Sequence, residues 1–236
     1  MESLFHQKRV MVVVAHPDDE VLGLGGTINR LIETYSIVTH LVILGEGITS
    51  RSNTRDVAIW NEELKEHKSN IQIAQSIIGY HSASIYDYPD NRFDTVPLLN
   101  LVKTVEAEKK RFSPDLIFTH HGGDLNIDHQ KTFEAVMTAC RPMKEESVKT
   151  ILCFETMSGT EWRASSDPRH FIPNMYISFE KKHLQKKIQA MESYKYESRQ
   201  FPHPRSPEAI KNRAKMWGIT VGKEFAEPFT LIRHCE

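Results

Sequence analysis

Three acids and an imidazole fall within five residues, His16-Pro-Asp-Asp-Glu20. A second run, His120-His-Gly-Gly-Asp-Leu-Asn-Ile-Asp-His-Gln130, ends on another acid and imidazole. Crowded carboxylates raise one another's pKa, a cost that a bound cation removes. His16 and Asp19 are nitrogen and oxygen donors of the kinds zinc accepts. Asp18 would then stay off the metal and act on a water. Asp19 and Glu20 also suit the first turn of a helix, where each gains about 0.3–1 kcal/mol from the helix dipole. That reading leaves His16 beside them unexplained. Adding His129 completes a set of two nitrogens and one oxygen with one open position, the arrangement of a catalytic zinc. Asp128 has two readings: a cap for the helix that follows, or a carboxylate that orients a histidine.

The surrounding chain must carry these clusters to one place. Val10-Met-Val-Val-Val14 is a short apolar run of the kind that forms a strand buried on both faces. Pro17 fixes its own φ and holds His16 extended, so the chain turns there. Beyond Gly23, Gly25 and Gly26, the spacing of Ile28, Leu31 and Ile32 predicts a helix. Further strands are predicted over 36–44, 84–88, 115–119, 150–154 and 174–179, with a strand-like tail over 222–233. Helices are predicted over 56–78, capped at Gly79, and over 98–111, 129–139, 180–194 and 207–217. The alternation through residue 155 predicts a parallel sheet with helices on both faces.

In such sheets ligands bind outside the carboxyl ends of the strands. Both clusters fall at such an end. Polar loops after the second and third strands add candidates. Arg51 or Arg55 suits an anionic group, and Asp90, Asn91 and Arg92 suit sugar hydroxyls; an ordinary Pro-Asp-Asn turn is the other reading of the last three. Trp162 lies in a loop that closes over the site. Phe201-Pro-His-Pro-Arg-Ser-Pro207 cannot be helical, so a stiff loop holds His203 and Arg205.

The chain has 236 residues, 39% apolar and 26% charged, enough for one large α/β domain or two small ones, with a packed core expected. Its formal net charge is -1, which gives no footprint for nucleic acid. Cys140, Cys153 and Cys235 are odd in number and widely spaced, so neither a disulfide framework nor a cysteine zinc site is expected. No apolar run approaches the ~18 residues of a membrane span. The first eight residues lack the apolar core of a signal peptide, and the simplest location is the cytoplasm.

With both clusters placed, the sequence resembles the PIG-L / LmbE-like family of zinc-dependent de-N-acetylases. Ala15-His-Pro-Asp-Asp-Glu20 matches the family's first motif, Asp128-His129 the end of its second, and Ala226-Glu-Pro-Phe229 is similar to the tail of many members. The resemblance implies a Rossmann-like three-layer α/β/α sandwich with a mostly parallel sheet. It implies one domain over 1–236, with a core over 1–155 and a C-terminal part, 156–236, closing the site. One Zn2+ per chain is implied on His16, Asp19 and His129, with Asp18 as general base.

The sequence also departs from the family pattern. Many members carry His-Pro-Asp-His at the second motif, with the first histidine stabilising the oxyanion. Asn126 stands there here; it can donate a neutral hydrogen bond but no proton. His203 is the candidate for the missing acid, with His120 or His121 as alternatives. His67 and Asn70 occupy the places of an arginine and a glutamate that often begin the second long helix.

The function implied is hydrolysis of the N-acetyl group of an N-acetylhexosamine unit in a nucleotide sugar, glycolipid precursor or glycoside, releasing acetate. Asn126, Asp128, Arg92 and Arg55 are the expected substrate contacts, and a homo-oligomer is left open. Two other classes compete. A metal-dependent phosphoesterase would use the same carboxylates with two metals. A non-catalytic sugar- or nucleotide-binding module would leave Asp18 without a task.

Overall fold

A computed structural model describes residues 2–235. After a short turn of helix, α1 (Glu2–Phe5), strands and helices alternate: β1 (Arg9–Val14), α2 (Asp19–Tyr35), β2 (Val38–Gly45), α3 (Asn61–Ile78), β3 (Ser82–Tyr88), α4 (Leu98–Phe112), β4 (Leu116–His120), α5 (Ile127–Ala139) and β5 (Thr150–Phe154). The remainder forms β6 (Met175–Phe179), α6 (Lys181–Ser193), α7 (Pro207–Thr220) and β7 (Phe225–His234). All seven strands join one sheet in the order β3-β2-β1-β4-β5-β7-β6. The first five pair in parallel. β7 runs antiparallel between β5 and β6.

The valine run of β1 is apolar throughout because both faces of the sheet are covered. Val10, Val12 and Val14 pack with Ile28 and Leu31 of α2, Ile71 and Ile78 of α3 and Met191 of α6. Met11 and Val13, pointing the opposite way along the pleat, pack with Leu101 and Val105 of α4 and Val136 of α5. β1 is also where the strand order reverses, β2 lying on one side and β4 on the other. The crevice beyond such a switch point is the ligand position in this architecture. The two histidine–acid clusters leave the ends of β1 and β4, on either side of it.

α2 starts at Asp19 rather than beyond the glycines, which lie within it. A Cβ on Gly23 would stand 2.2 Å from the ring of Phe154, and one on Gly26 would stand 2.8 Å from that of Phe179. The glycines therefore serve close approach of the helix to β5 and β6. Leu24 leaves the helical conformation (φ −149°, ψ 18°) and kinks α2. The backbone groups freed there are taken up by side chains from the end of the chain. Glu227 accepts from Gly26 N (3.1 Å) and Thr27 N (2.7 Å). Lys187 Nζ donates to Leu22 O (2.8 Å) and pairs with Glu227 (2.5 Å). Both charged residues are buried.

Other boundaries also moved. α3 begins five residues later than the apolar spacing predicts. The Asp56 carboxylate accepts from Ala58 N (2.9 Å), a local turn that competes with the helix. α5 begins at Ile127, and Asn126, not Asp128, caps it: Asn126 Oδ1 accepts from Asp128 N at 2.8 Å.

Candidate active site

His16, Asp19 and His129 converge. Their donor atoms all lie within 4.8 Å of one another, and all three side chains are buried. His16 Nδ1 is 3.5 Å from Asp19 Oδ2, and His129 Nε2 is 3.3 Å from Asp19 Oδ1. Ligands about 2.0–2.1 Å from one ion at tetrahedral angles stand about 3.3 Å apart, so the set has the right size for zinc. The far nitrogen of each imidazole meets a carboxylate. His16 Nε2 bonds to Asp128 Oδ2 at 2.8 Å, and His129 Nδ1 is 3.1 Å from Asp124 Oδ1. Such outer carboxylates fix the ring and raise its basicity as a ligand.

The electrostatics favour a cation. Burial lowers the pKa of His129, but Asp19 and Asp124 outweigh it and push the value up to about 9. Burial likewise works against a charged His16, yet Asp128, Asp19 and Asp90 hold it well above the ordinary histidine value. Burial raises the pKa of Asp19, and His129 with His120 takes it well below the usual carboxylate range. The acids around the two imidazoles favour a positive charge there, which a divalent ion would supply. The donor set and its surroundings therefore fit a metal. A second group of donors, His16, Asp90 and Asp128, shares His16 with the first. Asp128 is committed within it, Oδ2 to His16 and Oδ1 accepting from Phe93 N (2.8 Å). That leaves one ion as the better fit.

Asp18 stands beside this set without belonging to it. It adopts φ 103°, ψ −26°, a strained conformation for a residue with a side chain. Its carbonyl accepts from Val21 N and Leu22 N, starting α2, while its amide donates to Glu20 Oε2 at 3.1 Å. Tyr194 OH donates to the other Glu20 oxygen at 2.6 Å. Asp18 Oδ2 accepts no well-formed hydrogen bond, and Arg205 Nη1 lies 3.0 Å away. Burial raises the Asp18 pKa well above the ordinary value, against the charge of Arg205.

A cleft of about 250 Å³ opens over His16 and Asp18. His203 and Asn126, both expected from the sequence, line it. His203 Nδ1 accepts from Arg205 N (3.1 Å), which places its proton on Nε2, and Trp162 stands edge-on to the ring at 6.1 Å. Asn126 donates through Nδ2 to Asn91 Oδ1 at 3.1 Å.

Three expected substrate contacts fall elsewhere. Asp128 is fully buried, with both oxygens taken by His16 and the Phe93 amide, and does not line the cleft. Arg55 forms a fork with Glu46, both contacts 2.8 Å, on the wall of a neighbouring cavity; of the two loop arginines, Arg51 lines the cleft. Arg92 donates to Asn53 O (3.3 Å) and lies outside the cleft lining, where Asp90 and Asn91 appear instead. The alternatives to His203 are also engaged away from the cleft. His120 Nε2 accepts from Ala15 N (2.9 Å), its Nδ1 meets Thr156 Oγ1, and its ring stacks on His129 at 4.0 Å. His121 bonds to Arg169 O at 2.7 Å.

Arg205, Glu197 and Asp124 stand in or beside the cleft and were given no role by sequence reasoning. Arg205 had a signal, its place in the proline-stiffened loop. Asp124 sits in the second cluster, but nothing in its spacing marks it as the partner of His129.

Known proteins place this geometry. The chain is 25% identical over 200 residues to the uncharacterized deacetylase YaiS of Escherichia coli, covering 83% of this chain and 95% of that one. It is 24% identical over 197 residues to a probable N-acetyl-alpha-D-glucosaminyl L-malate deacetylase 2 of Bacillus anthracis, covering 80% and 81%. The N,N'-diacetylchitobiose deacetylase of Pyrococcus horikoshii shares the fold with a TM-score of 0.74 at 16% identity, over 96% of this chain and 84% of that one. The PIG-L family, described as GlcNAc-PI de-N-acetylase, matches residues 11–140, a span that contains His16, Asp18, Asp19 and His129, and the chain belongs to that family.

Proposed function

We propose that this protein is a metal-dependent hydrolase that removes the acetyl group from an N-acetylated amino sugar and releases acetate. The observation that carries the reading is Asp18, a buried carboxylate beside a three-donor metal set, off that set and facing the cleft. Binding alone gives such a residue no task. The names of the two curated relatives, both deacetylases, support the reaction class.

His16, Asp19 and His129 would hold the ion, zinc being the fitting choice for two nitrogens and an oxygen. When bound, the metal supplies a Lewis acid for the amide carbonyl and acidity for a nearby water. The chain does the rest. Asp18 takes the proton of the attacking water, held in place by its amide on Glu20 and by the Arg205 guanidinium 3.0 Å from Oδ2. The proton that Asp18 has taken passes to the departing amine, and His203 Nε2–H offers a hydrogen bond to the reacting carbonyl oxygen. Asn126 and Asn91, already hydrogen-bonded to each other, and Asp90 offer amide and carboxylate groups to sugar hydroxyls. Trp162 offers an apolar face. We read 156–236 as the part of one domain that completes the site, since it supplies Trp162, Glu197, His203 and Arg205 to the cleft.

The test is acetate release from a panel of N-acetyl sugars, alongside metal analysis of the purified protein. Stoichiometric zinc with acetate release from at least one sugar is expected. Phosphate release from sugar phosphates with no acetate from any sugar would overturn the reading.

A further inference from the structure

Asp18 occupies the N-cap position of α2 but makes no side-chain cap to that helix. It lines the cleft instead. Its backbone stands at φ 103°, a region that residues with a Cβ rarely adopt, so its neighbours must hold it there. The carbonyl accepts from Val21 N (3.0 Å) and Leu22 N (2.9 Å), as the cap carbonyl of a helix does. The amide is held by a side chain, Glu20 Oε2 at 3.1 Å. A glutamate folded back on its own chain has several rotamers open to it. Tyr194 OH selects one by donating to Oε1 at 2.6 Å. Glu20 and Tyr194 are both buried.

Tyr194 follows the end of α6, and the turn that it begins reaches Asp18 a second time. The Tyr194 carbonyl accepts from Glu197 N and Ser198 N, both at 2.9 Å. The Glu197 carboxylate takes Arg205 Nη1 (2.5 Å), and the same nitrogen lies 3.0 Å from Asp18 Oδ2. One turn, 194–198, thus acts on both ends of Asp18: on the amide through Glu20, and on the carboxylate through Arg205. Any side-chain donor would satisfy a buried glutamate. This one comes from 174 residues along the chain, in the segment that also sets Arg205.

We propose that Tyr194 and Glu20 are positioning residues for the reaction. Tyr194 fixes Glu20, Glu20 fixes the Asp18 amide, and the Asp18 carboxylate stays aimed at the water that it deprotonates. The proposal rests on the deacetylase reading for the task of Asp18. Neither Tyr194 nor Glu20 lines the cleft, so both act through Asp18.

The experiment is a double-mutant cycle on acetate release, with Tyr194→Phe made in the wild type and in Asp18→Asn. The phenylalanine keeps the ring and removes the donor. In the wild type it should lower kcat by about 10²-fold, the scale of a misplaced reacting group, with KM within about twofold and the metal retained. In Asp18→Asn it should lower the residual turnover by less than about twofold, because the group that it positions is already gone. An equal loss in both backgrounds, or a loss carried by KM, would make Tyr194 a part of the scaffold alone and overturn the proposal. Glu20→Gln and Glu20→Met separate hydrogen bonding from charge. Glutamine can accept from Asp18 N and donate to the Tyr194 oxygen, so its kcat should exceed that of Glu20→Met by about tenfold. Equal losses in the two would also overturn the proposal.

A crystal structure of Tyr194→Phe scores the positioning without turnover. Asp18 should leave its positive-φ conformation or lose its single side-chain orientation, and an Asp18 unmoved there would overturn the proposal. A wild type that releases no acetate from any sugar would sink the deacetylase reading, and that crystal structure would still decide whether Tyr194 holds Asp18.

Discussion

His67 of α3 is 1% exposed, and neither of its ring nitrogens has a hydrogen-bond partner. A buried polar group left unpaired costs roughly 1–3 kcal/mol. Replacing it with leucine removes both orphaned atoms, so His67→Leu should stabilise the protein by about that amount at neutral pH. The gap should widen on acidification. Burial first, then the charge of Arg51, brings the His67 pKa down to about 4 from an ordinary 6.5. Between those values the unfolded chain binds a proton that the native state refuses, so the wild type loses stability as pH falls from 6.5 to about 4. A gap of about 2.5 pH units at about 1.36 kcal/mol each gives about 3 kcal/mol. The leucine variant carries no such group, and the other titrations cancel in the difference. Urea unfolding of both proteins at several pH values between 7.5 and 4.5 measures it. A difference between the two that stays constant across that range would refute the reasoning. The same variant should raise KM, because a polar group kept at such a cost on the cleft wall is there to meet substrate.

Three further outcomes are expected. Asp18→Asn should retain its metal, measured by elemental analysis, while acetate release falls by about 10²–10⁴, the usual contribution of a general base; undiminished turnover would remove Asp18 from its role. His203→Ala should lower kcat by about 10²–10³, the scale of one hydrogen-bond donor to the transition state, with little change in KM, and an unaltered kcat would remove it from the reaction. Glu227→Gln should destabilise by about 3–5 kcal/mol, because it leaves the Lys187 ammonium buried without its partner; thermal unfolding within a degree of the wild type would show that the pair does not hold α2.

The alternation of apolar runs made the layered sheet legible, since a strand buried on both faces and a helix buried on one have different periods. The convergence of His16, Asp19 and His129 was legible for another reason: they are nitrogen and oxygen donors that follow closely on the ends of β1 and β4. What failed was long-range. Asp128 and Asn126 are both plausible caps by type, and only the backbone shows that Asn126 caps while Asp128 turns inward to His16. Arg51 and Arg55 sit four residues apart in one polar loop, and the choice between them follows from Glu46 capturing Arg55. The kink in α2 was hidden because its compensation comes from Lys187 and Glu227, far along the chain.

That kink has a bearing on how the protein is made. In the helix that begins with Asp19, the amides of Gly26 and Thr27 are met by a carboxylate 200 residues downstream of Thr27. A nascent chain emerging amino end first would expose both histidine clusters well before Glu227 leaves the ribosome. The compensation of the kink is thus supplied by the last strand to be made, although His16, Asp19 and His129 all precede it in the chain.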